Sequence, residues 1–425
     1  MKNIDENNNL YSINIIFQKK NNFFRKKIKK FYNNIIQTKC FYFIIIFGFI
    51  LFIYFFTNIR NLLNINIIKI KQTQKIHNNI IESNFNYNFE KIKDRFSRNE
   101  ILKNYLKEIH IKAHIYHINK NEYLKYKNNI HICVSLNNKY IYPLLVSMES
   151  VLINSDKNKT FITYHILCTP DITANTSLII KSLMRRYSTN LELILYNMGN
   201  CFKYRMGFKS QAVYYRILSP IILNIDKIIY LDGDTITLKD LSDMYKIEFN
   251  DNYMLGFLDI QSRQIDHLGK RTEKYTNTGV ILLNLEKIRN DNKIFEMLNI
   301  VNTTIFLPSQ DQTVFNFVLY PKIGRLPSKY GIWNFEDKLD IEKYLKSIRQ
   351  KIDINELEEA LKDPSIFHNV LCFPKLWFPK SKYSILSNCK KRGNCDCQKY
   401  INLWLSYAQK TEYYKQIRHF MRTLK

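Results

Sequence analysis

The sequence predicts an α/β fold built on a mostly parallel sheet. Two observations carry this. From residue 129 onward, short apolar runs alternate with stretches of helical periodicity, the order that yields parallel strands joined by right-handed crossovers. One of those runs, Ile228–Leu231, ends abruptly in Asp232-Gly233-Asp234, which puts acidic side chains at the carboxyl end of a strand, where open α/β sheets bind ligands.

The elements follow in order. Ile130–Leu136 reads as a first, buried strand. Pro143–Asn154 places Leu144, Leu145, Met148, Val151 and Leu152 on one helical face. Thr160–Cys168 is a second strand, Ser177–Arg186 a helix and Leu191–Tyr196 a third strand, before the run that ends at Asp232. No glycine fingerprint follows the first strand, which excludes the dinucleotide-binding fold of dehydrogenases.

The N-terminal part has another texture. Residues 1–39 are polar and increasingly basic, with Lys19, Lys20, Arg25, Lys26, Lys27, Lys29, Lys30 and Lys39. Cys40–Ile59 then carries no charge and is dense in Phe, Ile, Leu and Tyr, long enough as a helix to cross a bilayer. It starts too late for a cleaved signal peptide and lacks a small-residue cleavage site. Lys and Arg are denser before it than just after it, so the positive-inside rule makes residues 1–39 a cytoplasmic tail and puts the rest on the far side, as in a type II membrane protein. Residues 60–128 are polar, with broken helical periodicity and no strand signals, and read as a stem. His110, His114 and His117 there share a helical spacing, but with no acidic or Cys partners in a ligand pattern they read as solvated.

The formal net charge is +27 over 425 residues. The basic residues are spread along the chain with no basic-aromatic module, which argues against nucleic acid. Cys133 and Cys168 lie in strand-like runs as small core residues. Cys389, Cys395 and Cys397 cluster in the segment 386–425, either as a disulfide with one Cys left over or as zinc ligands awaiting a fourth. Trp404–Lys425 is basic and amphipathic, able to pack on the domain or lie on a membrane surface. Asn158, Asn175 and Asn302 begin N-glycosylation patterns, compatible with a lumenal domain.

Asp232 and Asp234 are the chemical focus. In an extended chain residues i and i+2 face the same side, and Gly233 between them presents no side chain to an approaching ligand. Two converging carboxylates repel unless a cation lies between them, and oxygen ligands suit Mg²⁺ or Mn²⁺ with coordination positions left for phosphate.

Further stretches join this one: Ile132-Cys-Val-Ser-Leu-Asn-Asn-Lys-Tyr140, Ala212-Val-Tyr-Tyr-Arg-Ile-Leu218, Tyr230-Leu-Asp-Gly-Asp234, Leu255-Gly-Phe-Leu-Asp259, Tyr275-Thr-Asn-Thr-Gly279, Ser309-Gln-Asp-Gln-Thr313 and Ile366-Phe-His368 through Trp377. Together, over about residues 130–380, they resemble glycosyltransferase family 8, the retaining nucleotide-sugar transferases that include lipopolysaccharide galactosyl- and glucosyltransferases, glycogenins and xylosyltransferases. The resemblance implies one Rossmann-like domain of the GT-A type with a mixed, mostly parallel sheet, at residues 129–385. It also implies a UDP-sugar donor and a glycan, glycoconjugate or protein acceptor. Tyr140 would stack on uracil, and Asn137, which stands with Asn138 where the family is usually acidic, would accept from a uracil N–H. Arg216 would hold the diphosphate or support the carboxylates, Lys375 would contact the diphosphate, and Asn277 and Asp311 would bind sugar hydroxyls. Gln312 would lie beneath the anomeric carbon, with Asp259 close to the sugar. His368 would join Asp232 and Asp234 on the metal, and a nitrogen ligand beside two carboxylates favours Mn²⁺ over Mg²⁺. The segment after His368 departs most from the family, with no Gly after the His and Leu376 in place of Pro. Tyr330, Trp333 and Phe335 suggest either an aromatic acceptor platform or core packing. An anchored family member of this topology belongs in the Golgi or another endomembrane lumen, or at the inner membrane of a bacterium. The competing reading is a sugar-nucleotide-binding or lectin-like membrane protein that has lost catalysis.

Overall fold

The computed structural model describes residues 81–86, 112–117, 122–187, 189–202, 210–259, 275–332, 341–342, 345–346, 352–370 and 397–423. Its frame is a nine-stranded sheet in the order β1-β2-β5-β4-β3-β6-β9-β8-β10. The strands are β1 (Ile81–Asn86), β2 (Lys112–His117), β3 (Asn128–Leu136), β4 (Thr160–Cys168), β5 (Leu191–Asn197), β6 (Lys227–Leu231), β8 (Met254–Leu258), β9 (Thr276–Asn284) and β10 (Ile323–Arg325). A second, two-stranded sheet pairs β7 (Thr235–Thr237) with β11 (Ile366–His368).

Strands β3, β4, β5 and β6 are mutually parallel, as the alternation of strand and helix requires. Strand β9 runs antiparallel between β6 and β8. Both faces of the parallel part are covered, so its strands are rich in apolar residues: Ile130, Ile132, Val134 and Leu136 of β3 face one core, and Cys133 faces the other. The first core includes helix α1 (Ile141–Asn154) and helix α2 (Ala174–Arg186). The second includes α3 (Leu285–Asn290), α4 (Lys293–Thr303) and α5 (Asp311–Leu319). Cys133 and Cys168 are buried free thiols, one in each core.

Two expectations change. Residues 60–128 do not lack strands: β1 and β2 pair with each other and β2 pairs with β5, so part of the expected stem extends the main sheet by two antiparallel strands. His114 and His117 lie on strand β2, so the helical spacing does not apply to them, and His110 lies outside the described residues. Among the described residues no helix is long and apolar enough to cross a membrane, and Cys40–Ile59 lies outside them.

The C-terminal segment packs on the domain. After α6 (Ile354–Lys362) and β11 come helix α7 (Cys397–Ala408) and helix α8 (Tyr414–Thr423). Tyr400, Trp404, Tyr407, Ala408 and Ile417 are buried in the core that holds α1. Lys415, Arg418, His419 and Arg422 lie on the exposed side of α8, which accounts for the amphipathic pattern. Cys389 and Cys395 lie outside the described residues.

One buried polar thread crosses the parallel strands. His131 Nδ1 lies 3.0 Å from His165 Nε2, and His165 Nδ1 lies 3.0 Å from the Tyr196 hydroxyl. Burial pushes His131 down to about 4 and His165 well below its ordinary value of 6.5, His131 adding to the effect on His165. Both rings are neutral in the folded chain but titrate near 6.5 once unfolded. The stability they contribute is therefore full above that value and is lost as the pH falls toward about 4. Urea midpoints should drop between neutral pH and about pH 4.5, and a His131→Gln, His165→Gln double variant should flatten that drop.

Candidate active site

The carboxyl end of β6 turns sharply. Asp232 N–H donates to Gly279 O at 2.7 Å, and the Asp232 carbonyl accepts from Thr235 N and Thr235 Oγ1 at 3.2 and 2.8 Å. Asp232–Thr235 is thus a turn stapled by its own threonine, and this turn, not an extended i, i+2 alternation, makes the carboxylates converge. Strand β7 leaves the turn and pairs with β11 in the register that sets Thr235 opposite His368. Asn369 N closes the pairing on Asp234 O at 3.1 Å. His368 Nε2 then lies 3.2 Å from Asp234 Oδ1, and the imidazole is 3% exposed. One ligand atom from each of Asp232, Asp234 and His368 falls within 4.8 Å of the other two, the only such group of three among the described residues.

Whether a cation fits is decided by Gly279. A Cβ there would sit 2.3 Å from His368 Cε1, 2.6 Å from Asp232 Oδ2 and 2.8 Å from His368 Nε2. The missing side chain leaves the floor of the ligand cradle open, and two carboxylates with one imidazole are a donor set for a divalent cation such as Mn²⁺. Gly233 is less constrained. A Cβ there would make only ordinary contact, at 3.5 Å, with the backbone of Leu144, where the turn packs on the first turn of α1.

Behind the cradle stands Arg216, on a short 3₁₀ helix, Gln211–Leu218. It is 5% exposed. Its Nη1 donates to Thr278 O at 2.6 Å, Nη2 donates to Asp232 Oδ1 at 2.8 Å, and Nε lies 3.1 Å from Asp311 Oδ2. The guanidinium stacks over the Tyr230 ring, 3.8 Å from its centroid. Burial opposes its charge, but Asp232 and Asp311 more than offset this and hold it fully protonated. Of the two tasks expected of Arg216, this geometry performs the support of the carboxylates. Burial pushes Asp311 up to about 6 against the pull of Arg216, and Asp232 adds to the rise.

A second polar group adjoins the first. Asp259 follows β8 directly, and its Oδ2 accepts from Asn277 Nδ2 at 3.0 Å and from Gln312 Nε2 at 3.1 Å. Gln312 Oε1 accepts from Thr278 N at 3.2 Å, and Thr278 Oγ1 donates to Asp311 Oδ2 at 3.3 Å. Asn277 Oδ1 accepts from Gly279 N at 2.9 Å. These residues can meet because the β8–β9 register jumps. Gly256 opposes Ile281 while Phe257 opposes Asn277, so Thr278, Gly279 and Val280 are looped out of that ladder toward the site. Gln310 adopts φ 53°, ψ −122° just before α5, and the turn it makes brings Asp311 and Gln312 inward.

The turn after β3 is built differently from the expectation for Asn137. Its Oδ1 accepts from Lys139 N and Tyr140 N at 3.0 and 3.2 Å, so its carbonyl is engaged in shaping the turn that presents Tyr140. Asn138 Oδ1 accepts from Thr173 N and Thr176 Oγ1. Tyr140 is half-buried at the head of α1. Tyr330 is 3% exposed and belongs to the core, whereas Trp333, Phe335 and Lys375 lie outside the described residues. The residues not foreseen individually are Thr278, which serves three partners, Tyr230 beneath Arg216, and Asn316. The last accepts from Thr276 N and donates to Thr276 O and Gln312 O. A polar side chain one turn after Gln312, within the apolar stretch Val314–Leu319, is the signal that marks Asn316.

The family model described as glycosyl transferase family 8 matches residues 131–355. A putative glycosyltransferase of Haemophilus influenzae is 26% identical over 53% of this chain and 70% of its own length. The lipopolysaccharide 1,2-glucosyltransferase of Escherichia coli is 25% identical over 48% of this chain. The mouse glucoside xylosyltransferase 2 is 24% identical over 38% of this chain. The chain spans 63% of the E. coli protein and 38% of the mouse protein. In structure, the bifunctional glycosyltransferase WbbM aligns with a TM-score of 0.51 at 16% identity, covering 66% of this chain and 52% of WbbM, and shares its fold.

Gly279→Ala should keep the fold and lose Mn²⁺ affinity by about 10–100-fold, the range for disturbing groups around a metal, as read by titration of the metal-stripped protein.

Proposed function

The chain belongs to glycosyl transferase family 8, and on that premise we propose a membrane-anchored, metal-dependent enzyme that moves a hexose or pentose from a UDP-sugar to a glycan, glycoconjugate or protein acceptor, with retention at the anomeric carbon. The observation that carries the reading is the convergence of Asp232, Asp234 and His368 beside the Asp259–Gln312–Asp311 group. In this cluster two carboxylates and an imidazole converge within 4.8 Å of one another, an arrangement that favours a bound cation. The mixed nitrogen and oxygen donors favour Mn²⁺, with Mg²⁺ as the alternative ion. Held there, the cation supplies positive charge toward the departing diphosphate.

The chain's own residues do the rest. Arg216 fixes Asp232 and Asp311 in one geometry. Tyr140 offers an apolar face to uracil, Lys375 is assigned to the diphosphate, and Asn277 and Asp311 face the donor sugar. Both ends of the Gln312 amide are hydrogen-bonded, so it is held as a fixed dipole and not as a nucleophile. This supports same-face attack: the acceptor oxygen bonds to the anomeric carbon as the bond to diphosphate breaks, and the acceptor's hydroxyl proton passes to the departing diphosphate oxygen. Asp259 and Gln312 stabilise the positive charge of an oxocarbenium-like transition state.

Cys40–Ile59 anchors the chain in this reading, with residues 1–39 cytoplasmic and the domain in the Golgi or another endomembrane lumen, or at the inner membrane if the source is bacterial. Exposed Asn158, Asn175 and Asn302 suit a lumenal domain. Proteolysis of sealed vesicles should spare residues 60–425 until detergent is added; cleavage of the domain without detergent reverses the topology.

The solubilised chain should release or transfer sugar from one member of a radiolabelled UDP-sugar panel with Mn²⁺ and not with EDTA. Asp234→Asn should lower kcat by about 100-fold or more, the upper range for disturbing groups around a metal. UDP binding with no turnover of any sugar would replace this reading by the lectin-like one.

A further inference from the structure

We propose that Tyr400 is a positioning residue for the cation cradle, so that the C-terminal helix α7 completes the active site without touching substrate. The inference rests on the cation reading above. Tyr400 is 1% exposed, and its hydroxyl donates to the carbonyl of Asp234 at 3.0 Å. Its ring stacks on Phe367, centroids 5.9 Å apart and planes 26° apart, one residue before His368. One side chain thus braces both segments that carry the ligands.

The physical effect is on the peptide plane after Asp234. That carbonyl accepts from Asn369 N at 3.1 Å and from Tyr400 at 3.0 Å. Two donors on one carbonyl fix its direction, and with it the turn from which the Asp234 side chain departs. Helix α7 is itself anchored. Trp404 is 1% exposed, and the Tyr407 hydroxyl accepts from Asn154 Nδ2 at 2.7 Å. The same amide donates to Thr237 O at 3.0 Å, at the far end of β7. The brace lies beyond residues 131–355, the stretch matched by the family model.

The test uses the full, detergent-solubilised, metal-stripped chain and the electron paramagnetic resonance signal of free Mn²⁺ as the ion is titrated. Tyr400→Phe keeps the ring stacking and removes only the hydroxyl. It should weaken Mn²⁺ binding by about 10–100-fold. Thr411→Val removes another buried hydroxyl, which donates to Ala408 O at 2.8 Å at the end of the same helix, and should leave Mn²⁺ affinity unchanged while lowering the melting temperature to a similar extent. Equal Mn²⁺ affinity in the wild type and Tyr400→Phe overturns the inference and leaves the cation reading standing. Equal losses in both variants overturn it as well, by showing general destabilisation. A wild-type chain that binds no Mn²⁺ removes the cation reading and the inference together.

Discussion

The buried guanidinium of Arg216 is the constraint on which the active centre depends. It joins Asp232 of the three-ligand cluster to Asp311 of the neighbouring polar group and takes its third contact from the backbone of Thr278. A charge held this far from water is tolerated because each face of it is met, two by carboxylates, one by a carbonyl and one by the Tyr230 ring. Taking away one partner of such a pair costs about 3–5 kcal/mol, because the other charge is then stranded. Lysine, a point charge on a flexible stem, cannot reproduce the planar fork.

Strand β9 carries much of the remaining design. Its neighbours β6 and β8 are each antiparallel to it, so residues 276–280 pass the carboxyl ends of both. Where the ladder with β8 is interrupted, backbone groups of Thr278 and Gly279 are spent on Arg216, Gln312, Asp232 and Asn277. A Cβ at Gly256 would lie 2.3 Å from Thr276 Cγ2, so the irregularity requires a glycine on the partner strand.

The parallel strands and their helices were legible because Ile130–Leu136, Thr160–Cys168 and Leu191–Tyr196 are largely buried and read as short runs rich in apolar residues. The pairs at Asp232 and Asp311 were legible through their motifs. Strands β1 and β2 were not: Ile81-Glu-Ser-Asn-Phe-Asn and Lys-Ala-His-Ile-Tyr-His117 carry few apolar residues, and their pairing depends on the open edge of β5. Propensity at an edge follows from partners, which a linear reading does not contain. The turn at Asp232 was misread for a related reason, since its shape comes from the Thr235 hydroxyl and the remote β11. Asn137 kept its place but changed its task, because its nearest donors are the amides of its own turn.

The C-terminal packing bears on how the protein is made. Chains emerge from the ribosome N-terminus first, and domains generally fold as they are released. The Asp232 turn therefore appears long before β11 and α7, and a nascent chain holds two repelling carboxylates with neither the imidazole nor the phenol in place. A transcript cut short after α6 would yield all nine strands of the main sheet and a half-built pocket with two of its three candidate ligands.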